Sequence, residues 1–346
     1  LHDSENLGNR LGQKVIHTSI LNHPFVARHH HWFIPLMPLG MKMLRLKEKY
    51  NVIISDSAGY AKGVRVPTGT KHLCYCHTPL RYAWERGNIE SRLMSAGLPK
   101  NVAQLLTTCA WPIRKVLQWW DRRTAQYPDV MLANSQFTAS KIKQYYGREA
   151  KVVYPPVDIN IFRYDQKMKR QNYFLAVGRL IPWKRFDLIV EVFNTLALPL
   201  VIVGAEREDA RQLKLNAGKT ITFLPEQDDM VLAKLYQQAR ALIFPQVEDF
   251  GLVAAESIAC GTPVIAYAAG GALEIVQDGL SGIFFDKQEK ESMIVAIRKF
   301  KERSWNCGAI VATAERFSKE NFKLSIQECI RDMMKVTEIE KGGDRE

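Results

Sequence analysis

Residues 241–267 read "ALIFPQVEDFGLVAAESIACGTPVIAY". The stretch opens on a short apolar run ending at Pro245 and closes on a second, "TPVIAY". Between them Leu252–Cys260 has the composition of a buried helix, with Gly261 placed to end it. Strand, helix and strand in 27 residues predict a βαβ unit, whose two strands must run parallel. The same alternation continues outward. Further runs are "YFLAVG" (173–178), "LPLVIVG" (198–204), "TITFLP" (220–225) and "GIFF" (282–285). They are continuous rather than alternating, as in parallel strands covered on both faces. Helical patterns such as "DLIVEVFNTLA" and "DDMVLAKLYQQA" separate them. The second half is therefore expected to be a doubly wound α/β sheet.

Toward the N-terminus the alternation weakens. "NVIISDS" (51–57), "TKHLCYCHT" (70–78) and "PDVMLANS" (128–135) read as strands, and "KVVYPPVD" (151–158) as a strand stopped by two prolines. The domain boundary is expected there. The expected parts are an N-terminal Rossmann-like domain over 1–156, a C-terminal one over 157–316, and a terminal helix with a frayed tail over 317–346. That helix is expected to cross back toward the first domain.

Charge divides the chain in the same way. The net charge is +12, and residues 1–150 hold 21 Lys+Arg against 9 Asp+Glu, which accounts for all of it. Halves so different should meet different partners. Apolar residues make up 47% of the chain, in runs too short for a membrane span. The opening "LHDSENLGNR" has neither the basic start nor the apolar run of a signal peptide. Six scattered cysteines suit a reducing compartment better than a disulfide framework. A cytoplasmic protein is expected.

Glu248 and Glu256 flank Gly251 at the start of the helix after "ALIFP". A helix N-terminus at the carboxyl edge of a parallel sheet favours an anion, and a glycine lets a phosphate approach the backbone. Two carboxylates beside it can accept hydrogen bonds from sugar or ribose hydroxyls. By spacing alone, a solvated loop glutamate and a helix-start glutamate favoured by the dipole are the more ordinary reading of the pair. "AVGRLIPWKRFDLI" adds Arg179 just after one strand and Lys184 five residues on, both able to reach a diphosphate. Gly270-Gly271, in "AAGGALEIV", offers either a second cluster of backbone donors or a plain turn.

Taken together, "VGRLIPWKRFDLI", "FPQVEDFGLVAAESIACGTPVIAYAAGGALEIVQDGLSGIFF" and the linker "VVYPPVD" resemble retaining GT-B glycosyltransferases of glycosyltransferase family 4. "YCHTPLRYAWE" and "WWDRRTAQYPDVMLANSQFTASKIKQYYG" look most like bacterial mannosyltransferases of O-antigen and related polysaccharides. The resemblance covers nearly the whole chain. It implies two Rossmann-like domains with parallel sheets facing across a cleft, and transfer of a hexose, most simply mannose from GDP-mannose, without a metal or cofactor. Arg179 and Lys184 then resemble the clamp on the donor diphosphate. Glu248 resembles the residue touching hydroxyls of the transferred sugar, and Glu256 the one holding the ribose. Gly178, Phe250, Gly251, Leu252 and Val253 complete the donor-binding set. His77 looks like the histidine near the sugar's reactive carbon, and Arg81, Tyr82 and Trp84 fall to the acceptor. The implied acceptor is a lipid-linked oligosaccharide at the anionic inner face of the cytoplasmic membrane. In line with that, residues 92–121 mix Arg92, Lys100, Arg114 and Lys115 with Trp111, Trp119 and Trp120, and hold one acid, Asp121.

One departure stands out. Relatives of this kind open on a strand and a glycine-rich turn, whereas this chain opens on "LHDSENLGNRLGQKV", where Gly8 and Gly12 follow no strand. The first strand–turn unit is therefore expected to be missing. A catalytically impaired binding subunit and a GT-B nucleotide-sugar epimerase stay open as alternatives. A nucleic-acid-binding protein would also be basic, but no recognition motif accompanies the charge. Cys74, Cys76 and the run "ARHHHW" lack the spacing of a metal site.

Overall fold

The computed structural model describes residues 21–343, apart from 29, 45, 47, 86–89, 91–93, 95–97 and 206–209. Gly8, Gly12, Arg92 and the last three residues of the tail lie outside the described residues. The chain divides into two units: residues 1–134, 138–152 and 327–346 form unit 1, and 135–137 with 153–326 form unit 2.

Unit 1 carries helix α1 (Met37–Met43), strands β1 (Val52–Ser57) and β2 (Lys71–Cys76), helices α2 (Lys100–Cys109) and α3 (Trp111–Thr124), and β3 (Val130–Ala133). Helix α4 (Gln136–Tyr146), whose first two residues are counted with unit 2, and the short β4 (Lys151–Val152) follow. The four strands form one parallel sheet in the order β1-β2-β3-β4. Among the described residues this sheet steps in one direction and has no reversal of strand order.

Unit 2 carries β5 (Phe174–Val177), α5 (Phe186–Leu196), β6 (Leu200–Val203), β7 (Ile221–Leu224), α6 (Asp229–Gln238) and β8 (Leu242–Phe244). After these come α7 (Leu252–Ala259), β9 (Val264–Tyr267), β10 (Gly282–Phe285) and α8 (Lys290–Lys301). A last helix, α9 (Lys319–Gly343), begins in unit 2 and ends among the residues of unit 1. The sheet order is β10-β9-β8-β5-β6-β7, with every pairing parallel. The chain thus starts in the middle, builds outward through β6 and β7, then returns to build the other side from β8. This is the doubly wound order, and its reversal lies between β5 and β8.

The apolar runs explain why this sheet forms. Along a strand successive side chains point to opposite faces. Leu175, Leu242 and Phe244 enter one core, with Ala254, Ala255 and Ile258 of α7. Phe174, Ala176 and Ile243 enter the other, with Ile189 and Phe193 of α5 and Ile297 of α8. A strand covered on both sides cannot alternate with polar residues, which is why these segments read as unbroken apolar runs. Burying each such leucine or phenylalanine contributes about 1.5–3 kcal/mol. Local chemistry fixes the helix starts: Asp228 caps α6, its carboxylate accepting from the Val231 amide at 2.9 Å.

Candidate active site

The reversal between β5 and β8 places two loops side by side at the carboxyl edge of the unit 2 sheet. β5 runs into Gly178 and Arg179, then a turn of 3-10 helix, Pro182–Lys184. β8 runs into Pro245 and the loop Gln246–Phe250, which leads to α7. At such an edge the strands' ends and the following helices leave backbone donors facing out.

Lys184 and Glu248 meet here. Their side chains form an ion pair, with the lysine 13% and the glutamate 22% exposed. The same Glu248 oxygen accepts from the Gln246 side-chain amide at 3.0 Å. Gln246 is itself buried. The Glu248 carbonyl accepts from the Gly271 amide at 2.9 Å. Only glycine serves at that point: a Cβ on Gly271 would stand 2.1 Å from the Phe250 carbonyl oxygen. The double glycine therefore acts as a bed on which the Glu248 loop lies.

Gly251 turns the chain into α7 with φ +111°, a conformation that side chains resist. Helix α7 then begins at the exposed Leu252, with the first-turn amides of Leu252 and Val253 unable to find partners inside the helix. Phe250 is different: its ring is buried 5.4 Å from Phe317 and 5.9 Å from Tyr154. What Phe250 offers a ligand is backbone.

One turn along α7 lies Glu256, half-buried, accepting from the Tyr236 hydroxyl at 3.1 Å. Burial pushes the Glu256 carboxyl up to about 7; the nearby charges of Asp229 and Glu248 push the same way, and the Tyr236 bond opposes them. Among candidate residues a carboxyl held near neutrality is unusual, and its partner Tyr236 is fully buried. Arg179 is exposed and makes no ion pair or side-chain hydrogen bond among the described residues. Gly178 sits beside it at the end of β5, with φ +149°.

The remaining candidates belong to unit 1. His77 follows β2, with its Nε2 2.5 Å from Asp56 Oδ1 and its ring edge-on to Tyr75 at 5.0 Å. It is 39% exposed and Asp56 is 76% exposed, so the pair is open to solvent. Arg81, Tyr82 and Trp84 share one short helical turn, Arg81–Trp84. Trp84 stacks on Tyr145 at 4.5 Å and donates its indole N–H to Asp121 at 2.8 Å. Arg122 stands over the Trp84 ring at 5.5 Å. Among the described residues no group of three or more His, Cys, Asp or Glu side chains is placed to hold a metal ion.

Three residues with a part in these arrangements escape sequence reasoning. Gln246 sits two positions before Glu248, inside the motif already singled out, and its reach to Glu248 was there to be considered. Tyr236 comes from α6, and nothing in its own sequence points to Glu256. Asp56 reaches His77 because β1 pairs with β2 in the register Asp56–Tyr75, which only the fold reveals.

The comparisons with known proteins follow the same division. Residues 158–323 match the family of glycosyl transferases group 1, and residues 4–161 match glycosyltransferase family 4. A D-inositol 3-phosphate glycosyltransferase of Segniliparus rotundus is 32% identical over 222 residues, 56% of this chain and 49% of that protein. One of the same name from Geodermatophilus obscurus is 33% identical over 201 residues, 49% of this chain and 45% of that protein. The chain thus spans about half the length of these curated relatives. Among solved structures, Anabaena HepE in complex with UDP aligns with a TM-score of 0.64 at 18% identity, over 90% of this chain and 85% of that one. Sucrose-phosphate synthase of Thermosynechococcus elongatus also gives 0.64 at 18%, over 97% and 81%. At such identities the likeness concerns the fold. With one match for each half, a family 4 model is followed by a group 1 model from residue 4 to residue 323, and the solved neighbours share the GT-B fold of two parallel-sheet units. The curated relatives are inositol phosphate glycosyltransferases and not O-antigen mannosyltransferases, so the narrower resemblance has no support from them.

Proposed function

We propose that this chain transfers a hexose from a nucleotide sugar bound at the carboxyl edge of the unit 2 sheet. The observation that carries the reading is the placement of Lys184, Glu248 and Glu256 around the start of α7, at the reversal between β5 and β8. A diphosphate there meets the exposed Arg179, the Lys184 ammonium and the amides of Leu252 and Val253. Charge growing on the departing nucleoside diphosphate is met by cations already in place.

The Lys184–Glu248 pair supports a specific sequence of events. In the free protein each neutralises the other, so neither is left as a lone half-buried charge. An incoming diphosphate competes for the lysine. Released from it, Glu248 keeps its bond from Gln246 and turns its free oxygen to a sugar hydroxyl. Glu256, one turn further along α7, takes the ribose hydroxyls. No protein nucleophile is assigned. With retention of configuration, the leaving phosphate takes the proton of the attacking hydroxyl on the same face of the sugar.

The donor reading has two sources of unequal kind. Motifs in residues 75–85 and 119–147 favour GDP-mannose. Fold neighbours solved with uridine nucleotides, HepE with UDP-glucose among them, favour a uridine nucleotide. The acceptor is proposed to be a lipid-linked glycan handled by unit 1, through Arg81 and Tyr82, at an anionic membrane surface. Calorimetric titration of the purified chain with UDP- and GDP-linked hexoses tests the donor site. Binding of one nucleotide sugar, weakened at least tenfold in Glu248→Ala, is the expected result. If no nucleotide sugar binds, or if the variant binds as well as the parent, the assignment fails. Release of free hexose or transfer to an acceptor separates a working enzyme from a binding subunit, and an epimerised donor would identify the third alternative.

A further inference from the structure

Unit 1 has a groove that the donor reading does not use. It has a volume of about 400 Å³ and lies between α1 and α3, with Pro38 and Lys42 on one side and Trp119, Trp120 and Arg123 on the other. Gly63 lies against the Trp120 ring, and Arg65 and Tyr127 complete the lining. Lys42, Arg65 and Arg123 are all exposed, and none has an ion pair among the described residues. Arg123 stands over the Trp119 ring at 5.7 Å, which leaves its charge unneutralised. Among the described residues no acid lines the groove. The acid nearest in sequence, Asp121, is fully buried and bonded to Lys62.

The neighbouring helices turn apolar side chains outward, and Asp129, two residues beyond Tyr127, is paired with Lys71 at 3.5 Å. On α2, Leu105 is 63% exposed, and on α3 Val116 and Trp119 are 64% and 62% exposed. Ile113, Val116 and Trp119 recur at helical spacing on a face distinct from the buried row Leu117, Asp121 and Thr124. Leu39 and Met43 of α1 are exposed as well. The sequence holds no Asp or Glu from 6 to 47, nor from 91 to 120. Water alone does not favour so many outward apolar side chains. An apolar face beside three cations without an ion pair among the described residues, together with indole rings, complements a bilayer that carries negative headgroups.

We propose that this groove seats the phosphate of an anionic phospholipid while the outer faces of α2 and α3 rest in the headgroup layer. The proposal rests on the membrane-surface reading given above. It adds a defined headgroup site to a general attraction of charge. Lys42, Arg65 and Arg123 bind the phosphate, and Trp119 and Tyr127 provide aromatic bodies with polar edges suited to the interface.

Vesicle co-sedimentation of the full chain at low salt tests it, with neutral phosphatidylcholine against the same lipid mixed with phosphatidylglycerol. The groove variant is Arg65→Ala with Arg123→Ala. The control is Lys143→Ala with Lys151→Ala, which removes two exposed charges from unit 1 outside the groove. One cation near the headgroups is worth about fivefold in binding, so the groove pair should lose roughly 25-fold. The control should lose less than threefold, and circular dichroism should show both variants folded. Equal losses in the two variants would mean diffuse attraction and overturn the site. Equal or absent binding of the parent to neutral and anionic vesicles would overturn the membrane reading itself. Concentration-dependent self-association removed by Leu105→Ser with Val116→Ser, without lipid dependence, would assign the face to a second copy. Binding of an RNA oligonucleotide with the same loss in the groove variant would likewise refute a lipid site.

Discussion

Glu256 gives the most direct test, because its protonation affects stability and binding in opposite directions. Its carboxyl sits near 7 in the folded protein, chiefly through burial, against an ordinary value of 4.5. The folded state therefore holds a proton that the unfolded chain gives up between those values. Stability from this proton is fully present below the unfolded pKa and is lost as pH rises through the folded one. Between pH 5.5 and pH 8 the parent should lose at most about 2 kcal/mol by this route. Glu256→Gln has no proton to lose and keeps an oxygen to accept from Tyr236. Measured by urea unfolding, the stability of the variant minus that of the parent should rise by up to that amount over this interval. Taking the difference cancels other titrations. His72 of unit 1, for example, is pulled down to about 4 mainly by burial and acts in the reverse sense, favouring stability at higher pH. For binding, ribose hydroxyls donate to the ionised carboxylate. If only that form binds, nucleotide affinity should rise about tenfold from pH 6 to pH 8 and flatten in the Gln variant. A pH-independent difference in stability would refute the raised pKa. A tenfold rise that persists in Glu256→Gln would remove Glu256 from the ribose site while leaving the stability argument intact.

Lys184→Ala and Glu248→Ala should each lower turnover by on the order of a hundredfold or more with the fold retained. Because the two side chains are partners, the double variant should lose far less than the product of the single losses, and steady-state kinetics on the cycle measures this. EDTA should leave transfer unchanged, since no Asp-x-Asp pair occurs in the sequence and cations take the place of a metal; activity lost to chelation and restored by magnesium or manganese would overturn this. In unit 1, Asp121→Ala should cost roughly 3–5 kcal/mol, because it strands the fully buried Lys62. Adding Lys62→Met should recover part of that loss, as read from thermal unfolding.

How much of this was legible in the sequence depends on the range over which each feature is encoded. The unit 2 strands could be read because burial on both faces leaves each one a continuous apolar run, as Phe174–Val177 and Leu242–Phe244 show. The site could be placed because a parallel sheet puts its strand ends and the next helix starts on one edge, so Gly178, Glu248 and Gly251 share it. What failed to show were contacts between elements distant in sequence. Lys62 and Asp121 are 59 residues apart, and each looks like an ordinary surface charge until Tyr146 and Trp84 close over the pair, donating to Asp121 at 2.7 and 2.8 Å. That closure bears on Trp84 itself. Sequence reasoning placed it with the acceptor, but its indole N–H is held by Asp121 and its ring lies against Tyr145. An aromatic ring with its donor bonded and a face stacked offers a ligand little beyond an edge. Trp119 is the contrast: it sits two residues before Asp121 on the same helix and is 62% exposed, with Arg123 over its ring. Composition counts these two tryptophans alike. The rotation of α3 turns Asp121 inward to hold Trp84, which lies on the Arg81–Trp84 turn, and leaves Trp119 facing out; an outward indole beside a guanidinium without an ion pair among the described residues is the one with a surface to offer.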